Sequence, residues 1–521
     1  MAESLRAALE ERARRHPQRL AVRFGDFRQT YGELNASIDR TANALARLDV
    51  GVGSRVAVML PNRPEMLWTW LALAKLGATF VPVNVHLKGD GLRYLLSHAE
   101  PTHLVADGGT VDGMRSCAAG LDGVQARILV GGAAAQEDSI WSDFGTLTAS
   151  ATDCPPTDPG PLHDGLAAIM YTSGTTGRPK GVMIGRAAQY QHGLNYSGLL
   201  DIREHETAYA YLPLFHVTAM GTTLGSLLAG ANVAIDDGFS PFGFWERTRE
   251  YGASVFTFVG SVLTLLFNRP ERTDDADNPV RRVVGAATSP AIWQRFERRF
   301  GVEIVETYGQ TEMVALWLMP PPAGARVGTV GQPPEGRFDL EIRDERGQAL
   351  AAGERGEIAI KPRDPAHMAR GYWRDPVATA AAFHADGWYL TADLGTRDVD
   401  GYVRYIGRMK DCIRRRGENI SAYEIEVVVN QHPAVAECAA VGVPSAIGEE
   451  DVKLCVVPRP GAVLEPRDLL AFCRRELADF MVPRFIQIRG SLPKTATQRV
   501  QKPVLREEGT AGCWEAGRAR E

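Results

Sequence analysis

The sequence lacks the features that mark secreted, membrane-spanning or nucleic-acid-binding proteins. Its seven cysteines are an odd number, widely scattered and without a C-x-x-C pair, which argues against a disulfide or zinc framework and indicates free thiols in a reducing compartment. No apolar run reaches the roughly 18 residues that cross a bilayer, and the first residues lack a signal-peptide core. A net charge of −5 gives no reason to invoke nucleic acid. We therefore expect a cytoplasmic protein without membrane insertion.

What is present fits a soluble chain of more than one domain. At 521 residues, with 45% hydrophobic and 23% charged positions, the chain is too long for one ordinary core. Short apolar strands alternate with helical segments through the first 300 residues, which predicts α/β layers around a largely parallel sheet. From about Val327, short strands separated by Gly, Pro and Asp turns predict a small β-subdomain. After residues 407–411 the alternation resumes and predicts a separate lobe.

The stretch 171–181, YTSGTTGRPKG, follows a predicted buried strand and contains no bulky aliphatic residue. Glycines let successive backbone N–H groups converge on one anion, hydroxyls add donors and a lysine adds a mobile charge, so the stretch predicts a polyphosphate cradle. It is not a Walker A loop, because Gly181 follows Lys180. The alternative is a flexible linker. The candidate phosphate-binding residues are Thr172, Ser173, Gly174, Thr175, Thr176, Gly177 and Lys180.

This string resembles the signature loop of the adenylate-forming superfamily, which includes acyl-CoA synthetases, nonribosomal peptide adenylation domains and luciferases. The match is unbroken over the stretch, and four further motifs follow in the family's order. The resemblance implies an acyl-CoA synthetase-like fold. It would comprise a large N-terminal domain of layered α/β subdomains plus a β-subdomain (1–406), a hinge (407–411) and a small mobile α+β C-terminal domain (412–521).

Two segments are candidates for the nucleotide base and the α-phosphate. The first ends a strand in small residues that would let a flat ring approach, although tight strand–helix packing explains them equally well. By resemblance it lines the adenine pocket, and in the second segment Tyr308 lies against adenine, Thr311 contacts the α-phosphate and Glu312 binds Mg²⁺ together with Thr175. A carboxylate is a ligand that Mg²⁺ prefers. The residues are Gly285, Ala286 and Ala287, then Glu306, Thr307, Tyr308, Gly309, Gln310, Thr311 and Glu312.

Later motifs supply the ribose contacts and the hinge. Asp393 would accept hydrogen bonds from both ribose hydroxyls, although an ordinary turn aspartate is the alternative. The family usually has glycine where Ala392 stands. By resemblance, Arg408 contacts ribose and phosphate, Lys410 is the hinge residue, and Gly417 lies beside the pantetheine thiol of coenzyme A. A charged surface linker would explain Lys410 but not the whole string.

The acid would bind near His216, which follows the run Pro213-Leu214-Phe215 and matches a position that gates the acyl site in relatives. A packed core histidine is the alternative. Val259, Gly260 and Gly309 complete the predicted acyl pocket. Phe244-Trp245 and the stretch 275–279 resemble the crotonobetaine/carnitine-CoA ligase branch, which suggests a small or polar acid.

One departure from the family pattern concerns the catalytic lysine of its last motif. Register places Arg499 at that position and Gln498 where the family has glycine. Arginine keeps the charge but presents a planar fork instead of a compact ammonium. Three interpretations stay open: Arg499 takes the role of the lysine, which we favour, Lys502 reaches into the site, or carboxylate adenylation is altered.

The function predicted from the resemblance is that of an AMP-forming acid–thiol ligase. It would use Mg²⁺ and ATP to adenylate a carboxylic acid and would then pass the acyl group to coenzyme A. The first alternative acceptor is a carrier-protein phosphopantetheine. The basic residues 414–416 and 474–475 would suit an acidic carrier, although a plain solvated surface is the alternative that explains them. Two other alternative functions are activation of nitrite for diazotisation, and nucleotide binding without turnover. The oligomeric state is open, with a homodimer as one option.

Overall fold

The computed structural model describes residues 4–117, 123–131, 140–160, 165–172, 178–260, 262–321, 324–415, 418–445, 449–495 and 498–516. They form a large lobe, built on strands β1–β18, and a small lobe, built on β19–β24. The strands of the large lobe are β1 (Leu20–Phe24), β2 (Phe27–Thr30), β3 (Arg55–Met59), β4 (Thr79–Pro82), β5 (His103–Asp107), β6 (Ala126–Val130), β7 (Trp141–Asp143), β8 (Leu166–Thr172), β9 (Lys180–Gly185), β10 (Thr207–Ala210), β11 (Asn232–Ile235), β12 (Ala253–Val259), β13 (Arg282–Ala286), β14 (Glu303–Glu306), β15 (Phe338–Arg343), β16 (Gly356–Pro362), β17 (Tyr389–Arg397) and β18 (Val403–Arg408).

Helices cover the sheets of the large lobe. They are α1 (Leu5–Arg15), α2 (Tyr31–Ala46), α3 (Pro64–Leu76), α4 (Gly89–Ala99), α5 (Val111–Ser116), α6 (Phe144–Ala149), α7 (Arg186–Leu200), α8 (Val217–Ala229), α9 (Phe244–Tyr251), α10 (Val262–Phe267), α11 (Trp293–Phe300) and α12 (Pro376–Ala382). Local sequence sets several of their ends. Thr30 and Glu33 form a capping box at the start of α2, and Gly77 ends α3 in the left-handed conformation.

Two seven-stranded sheets form the body of the large lobe. Their orders are β14-β13-β12-β10-β11-β1-β2 and β7-β6-β5-β3-β4-β8-β9. All pairings are parallel except at one edge of each sheet, where β2 and β9 are antiparallel. The largely parallel α/β layers predicted from the sequence are confirmed. Most of their strands read as largely apolar runs, as strands covered on both faces do.

An antiparallel sheet, β15-β16-β17-β18, is the predicted β-subdomain. Strand β17 runs to Arg397 and so includes Asp393. The alternative of an ordinary turn aspartate is therefore wrong for its backbone. A register shift between Leu394 and Gly395 marks an irregularity next to this residue.

The small lobe follows directly on β18. Its strands are β19 (Cys412–Arg415), β20 (Glu418–Ser421), β21 (Val435–Pro444), β22 (Glu450–Pro458), β23 (Phe485–Ile488) and β24 (Trp514–Glu515), and its helices are α13 (Ala422–Val429), α14 (Pro466–Glu476) and α15 (Lys502–Glu507). A mixed sheet, β21-β22-β23-β24, packs against the helices around its own apolar core. The predicted α+β composition of this lobe is thus confirmed.

None of the helices in the described ranges combines the length and apolar character that crossing a bilayer requires.

Candidate active site

The predicted phosphate-binding turn joins β8 to β9 at the edge of the second sheet. Thr172 and Lys180 are paired across these antiparallel strands, so the two residues that flank the turn lie side by side. Ser173, Gly174, Thr175, Thr176 and Gly177 lie outside the described residues. The base of the turn is braced, because the Tyr171 hydroxyl lies 2.8 Å from His98 Nδ1 and the Tyr94 hydroxyl donates to the Pro179 carbonyl at 3.2 Å.

Lys180 and Glu312 lie on either side of one tyrosine. The Lys180 ammonium is 4.7 Å from the centroid of the Tyr372 ring, and the Tyr372 hydroxyl donates to Glu312 Oε1 at 2.9 Å. Burial raises the pKa of Glu312, with the Tyr372 hydrogen bond and the charge of Arg408 acting in the opposite direction. Thr311 begins the same 3₁₀ turn, Thr311–Met313. The structure therefore brings the cation and the carboxylate predicted for phosphate and metal to one place.

The small residues at the end of β13 meet a buried glutamate from β14. Ala287 has a φ of 75°, and its N–H donates to Glu306 Oε1 at 2.6 Å, while the N–H of Thr288 donates to Oε2 at 3.1 Å. Burial raises the pKa of Glu306 to about 7, against the pull of these donors. The Thr307 hydroxyl donates to the Gly285 carbonyl at 2.9 Å. The carboxylate thus shapes the turn of the predicted adenine pocket from behind.

Gly285 is required by close packing. A Cβ there would lie 2.0 Å from the Phe258 carbonyl oxygen, so no side chain is tolerated. Ala286 pairs with Val259 of β12, which places the predicted adenine and acyl residues on adjacent strands. Both interpretations of the segment, small residues for packing and small residues for a ring, are thus compatible with its geometry.

Asp393 is buried at 2% exposure, and one of its oxygens is fully engaged. Oδ2 accepts from the Tyr308 hydroxyl at 2.8 Å and from Gln310 Nε2 at 2.6 Å. Oδ1 accepts no hydrogen bond and lies 3.4 Å from Arg408 Nε. Burial raises the pKa of Asp393, although Arg408 and the two donors oppose the shift. A buried carboxylate oxygen without a hydrogen-bond donor suits a ligand that brings hydroxyl groups.

Arg499 lies near the end of a hairpin of the small lobe that reaches the large lobe. Lys494 and Val500 form its bridge, the Arg499 N–H donates to Thr495 Oγ1 at 3.1 Å, and Gln498 has a φ of 62°. A Cβ on Gly260 would lie 3.0 Å from the Gln498 carbonyl oxygen, so the two backbones are close. Gln498 therefore adopts a conformation that favours glycine.

The Arg499 side chain remains open to the cleft between the lobes and interacts electrostatically with Arg408, Tyr405 and Asp393. Desolvation by the surrounding protein, followed by the like charge of Arg408, lowers its pKa. His216 faces the same cleft, and burial followed by the charge of Arg499 lowers its pKa to about 4. Arg499 is thus within electrostatic reach of predicted ribose and acyl residues.

Two ion pairs fix the hairpin on its own lobe. Lys502 Nζ lies 2.8 Å from Glu426 Oε1, and Lys494 Nζ lies 2.7 Å from Glu437 Oε2. All four side chains are about 85% buried, at exposures of 14–16%. Lys502 is therefore bound within the small lobe and does not point into the cleft.

The predicted hinge lies at the junction of the two lobes. Lys410 is in a short 3₁₀ turn, Met409–Asp411, between β18 and β19. Burial lowers its pKa, with Asp411 acting in the opposite direction. Across this junction the Ser421 hydroxyl donates to the Ile406 carbonyl at 2.6 Å. Gly417 lies outside the described residues.

Sequence reasoning missed several side chains that shape this site. Tyr372 belongs to none of the motifs. Nothing in the sequence around Glu357 indicates that its carboxylate accepts a hydrogen bond from the Ala392 N–H at 2.7 Å. Helix α7 was not predicted at all. Gly309 packs against the Trp317 ring, 2.7 Å from where its Cβ would lie. Trp317, nine residues after Tyr308, was the signal that could have pointed to this wall.

Comparisons with known proteins agree with this geometry. The sequence profile "AMP-binding enzyme" matches residues 9–373, and "AMP-binding enzyme C-terminal domain" matches residues 424–499. A crotonobetaine/carnitine–CoA ligase of Salmonella paratyphi A is 32% identical over 485 residues, covering 92% of this chain and 93% of the relative.

Solved structures give the same result. A benzoate CoA ligase from Burkholderia xenovorans superposes with a TM-score of 0.87 at 26% identity, covering 96% of this chain and 99% of its own. ATP-bound MatB from Rhodopseudomonas palustris superposes with a TM-score of 0.86 at 29% identity, covering 98% and 99%. The chain belongs to the AMP-binding enzyme family, among the AMP-forming acyl-CoA ligases of the adenylate-forming superfamily.

Proposed function

We propose that this ligase adenylates a small carboxylic acid with ATP and transfers the acyl group to coenzyme A, using the residues brought together in the cleft. The observation that carries the assignment of roles is the meeting of Asp393, Arg408 and Arg499 between the lobes, next to His216. Asp393 Oδ1 would accept hydrogen bonds from the ribose hydroxyls, and Arg408 would contact the ribose and the phosphate. A soluble role in the reducing cytoplasm fits the scattered thiols.

In the first half-reaction the acid's carboxylate oxygen attacks the α-phosphorus of ATP, and the bond to the bridging oxygen of pyrophosphate breaks. The acid is ionised at neutral pH, so no general base is needed. Charge spreads over the phosphoryl oxygens in the transition state, where Lys180, Thr311 and Arg499 would stabilise it. The products are an acyl-adenylate and pyrophosphate.

Glu312 is the residue in the described part of the chain that would hold Mg²⁺. One of its oxygens accepts from Tyr372, and a carboxylate offers a second hard oxygen of the kind that Mg²⁺ binds together with phosphate oxygens and water. Thr175 would be its partner. When bound, the ion supplies charge neutralisation on the phosphates.

Arg499 is the better candidate for the family's lysine position than Lys502. Its guanidinium stands in the cleft, whereas the Lys502 ammonium is paired with Glu426. A planar fork can bind both oxygens of a carboxylate or bridge carboxylate and phosphate. The orientation of the hairpin thus suits the adenylation step.

For the second half-reaction we propose that the small lobe (412–521) rotates about the hinge 407–411 relative to residues 1–406. Rotation would withdraw Arg499 and bring the region of Gly417 to the acyl-adenylate. The coenzyme A thiol then attacks the acyl carbon, and AMP leaves as the carbon–oxygen bond breaks. Two positions of one lobe fit one cleft to two reactions.

The test is a pyrophosphate-release assay with a panel of carboxylic acids, with and without coenzyme A. We expect acid-dependent release, and an acyl-CoA product only when coenzyme A is added. Arg499→Ala should slow pyrophosphate release about 1,000-fold, whereas the rate of Arg499→Lys should stay within about tenfold of the unaltered protein. Arg467→Ala, which removes an exposed arginine of the same lobe, is the matched control. Release that is independent of every acid, or unchanged in Arg499→Ala, would contradict the proposal.

A further inference from the structure

A small cavity lies behind the residues proposed to bind the acid. It encloses about 10 Å³, which is room for one water-sized atom. Its walls come from β8, β9, α7, α8 and Val314, and they are apolar apart from Gln189 and His192. A cavity of this size with polar groups in an apolar wall is suited to a single polar atom.

His192 contributes an unpaired polar atom to this cavity. The residue is 2% exposed, and its Nε2 lies 3.0 Å from the Val217 carbonyl oxygen. A carbonyl only accepts, so Nε2 carries the hydrogen. Burial lowers the pKa of His192 to about 4, and the ring is neutral at pH 7. Nδ1 has no hydrogen-bond partner and is therefore a buried acceptor.

The other groups around the imidazole do not supply the missing donor. Val314, which also interacts with the ring through its backbone, presents a carbonyl that already accepts from Trp317 Nε1. The Gln189 amide lines the same cavity but makes no hydrogen bond with the imidazole. An entering group would have to be a donor, because a further acceptor would face the lone pair of Nδ1.

The cavity adjoins the proposed acyl pocket on two sides. Val217, which lines it, directly follows His216. On the other side the Trp317 ring packs against Gly309 and lies 6.2 Å from the imidazole of His192, centroid to centroid. The cavity therefore lies next to the segments that carry His216 and Gly309, two residues predicted to line the acyl pocket.

We infer that the acid substrate carries a hydroxyl or amino group at the end remote from its carboxylate, and that this group enters the cavity and donates to Nδ1 of His192. The inference rests on the proposed function. A single heavy-atom donor fits the volume, whereas a methyl group leaves Nδ1 unpaired and a second carboxylate offers no donor. His192 is then a specificity-determining residue.

The experiment compares acids that differ only in this atom. The pairs are 3-hydroxypropionate with butyrate, 4-hydroxybutyrate and 4-aminobutyrate with pentanoate, and hydroxy- and aminobenzoates with the methylbenzoates. We expect the best donor-bearing acid to exceed its methyl analogue about 100-fold in kcat/KM for pyrophosphate release, because the methyl analogue leaves a buried acceptor unpaired. His192→Leu should reduce that ratio to about threefold or less.

Two further variants separate recognition from packing. Tyr196→Phe alters a ring that lies 4.7 Å from the same imidazole, and it should keep the preference. His192→Asn places an amide oxygen near the position of Nδ1 and should restore part of it. Equal rates for both members of every pair, a preference that survives in His192→Leu, or a uniform loss for all acids would overturn the inference. Absence of acid-dependent release in the unaltered protein would refute the proposed function itself.

Discussion

Two functional residues of the cleft each follow a residue with a positive φ, and the backbone at the two places is held in different ways. Ala392 has a φ of 55° and precedes Asp393, while Gln498 has a φ of 62° and precedes Arg499. Both stand where the family has glycine. In the large lobe, the Ala392 N–H is held by the Glu357 carboxylate at 2.7 Å. In the small lobe, the Gln498 N–H is held by the Thr495 carbonyl at 2.9 Å.

A further residue with a positive φ in the cleft, Ala287, is held in the same way as Ala392. Ala287, with a φ of 75°, also donates its N–H to a buried carboxylate, that of Glu306. Burial raises the pKa of Glu306 and of Glu357. The nucleotide side is thus built from backbone segments held by glutamates within one lobe, whereas the hairpin of Arg499 relies on its own backbone and on ion pairs at its base. The second arrangement is compatible with the withdrawal of Arg499 that we propose.

The largest effects are expected when the two functional side chains, Arg499 and Asp393, are removed one at a time. Arg499→Ala should lower adenylation about 1,000-fold but leave acyl transfer from supplied acyl-adenylate intact. Asp393→Ala should raise the KM for ATP about 100-fold and impair both half-reactions, because both need the ribose held. Single-turnover assays of each half-reaction measure this. Equal effects of Arg499→Ala on both halves would contradict the difference between the two sides.

A smaller effect is expected from the base of the hairpin. Glu426→Gln or Lys502→Met leaves one partner of a buried pair uncompensated, so Arg499 should be misplaced and adenylation should fall about tenfold. Acyl transfer should be unchanged. The increase in the activation free energy of adenylation in the double variant should be smaller than the sum of the increases in the two single variants, because the two residues interact directly. Arg489→Met, which breaks a less buried pair with Glu508 on the same lobe, is the control. Full activity in both single variants would show that the hairpin needs no such support.

The buried glutamate Glu306, which holds Ala287, should also make the stability of the large lobe depend on pH. The pKa of Glu306 is about 7 in the folded protein against 4.5 for an unperturbed glutamate, so between these values the folded state retains a proton that the unfolded state has lost. The free energy of unfolding should therefore fall as pH rises from 4.5 to 7, by at most about 1.4 kcal/mol per pH unit from this group. Glu306→Gln should remove that part of the slope in urea titrations.

The control for this experiment is Glu345→Gln, which alters an exposed turn residue. Its pH profile should match that of the unaltered protein. A Glu306→Gln profile parallel to the unaltered one from pH 4.5 to 7 would contradict the assignment of this proton.

The smallest effect concerns the strained backbone. A side chain in the left-handed region costs about 1 kcal/mol, partly offset by the greater freedom of glycine in the unfolded chain. Ala392→Gly and Gln498→Gly should each raise the free energy of unfolding by up to about 0.5 kcal/mol. Ala380→Gly, within helix α12, should lower it by about 1 kcal/mol. Destabilisation by Ala392→Gly would mean that this turn carries no strain. Urea titration measures all three.

Much of the fold followed from the sequence because its signals are local. The buried strands of the two main sheets read as apolar runs, and the changes of composition near 327 and 407 marked the β-subdomain and the small lobe. Helix α7 was missed because its buried positions include polar residues, Gln189 and His192 among them, so its apolar periodicity is weak.

The site was predictable where residues cluster in motifs and unpredictable where packing joins distant segments. Glu312 stands out beside Thr311, but no spacing connects it to Tyr372, 60 residues away. Gln498 could be seen to replace a glycine, whereas the pairing of Lys502 with Glu426 needed the third dimension. The roles of the predicted site residues stay predictions until they are measured.

The close approach of Gly260 to Gln498 has a consequence for how this protein can change over time. Where the lobes touch here, a Cβ at position 260 would lie 3.0 Å from the Gln498 carbonyl oxygen, so any side chain at that position would crowd the contact. Sequence drift can therefore remodel the neighbouring acid pocket more freely at the positions around Gly260 than at Gly260 itself. If the small lobe rotates as proposed, a methyl group added at position 260 would disfavour the position of the lobe seen here relative to the one proposed for thiol transfer.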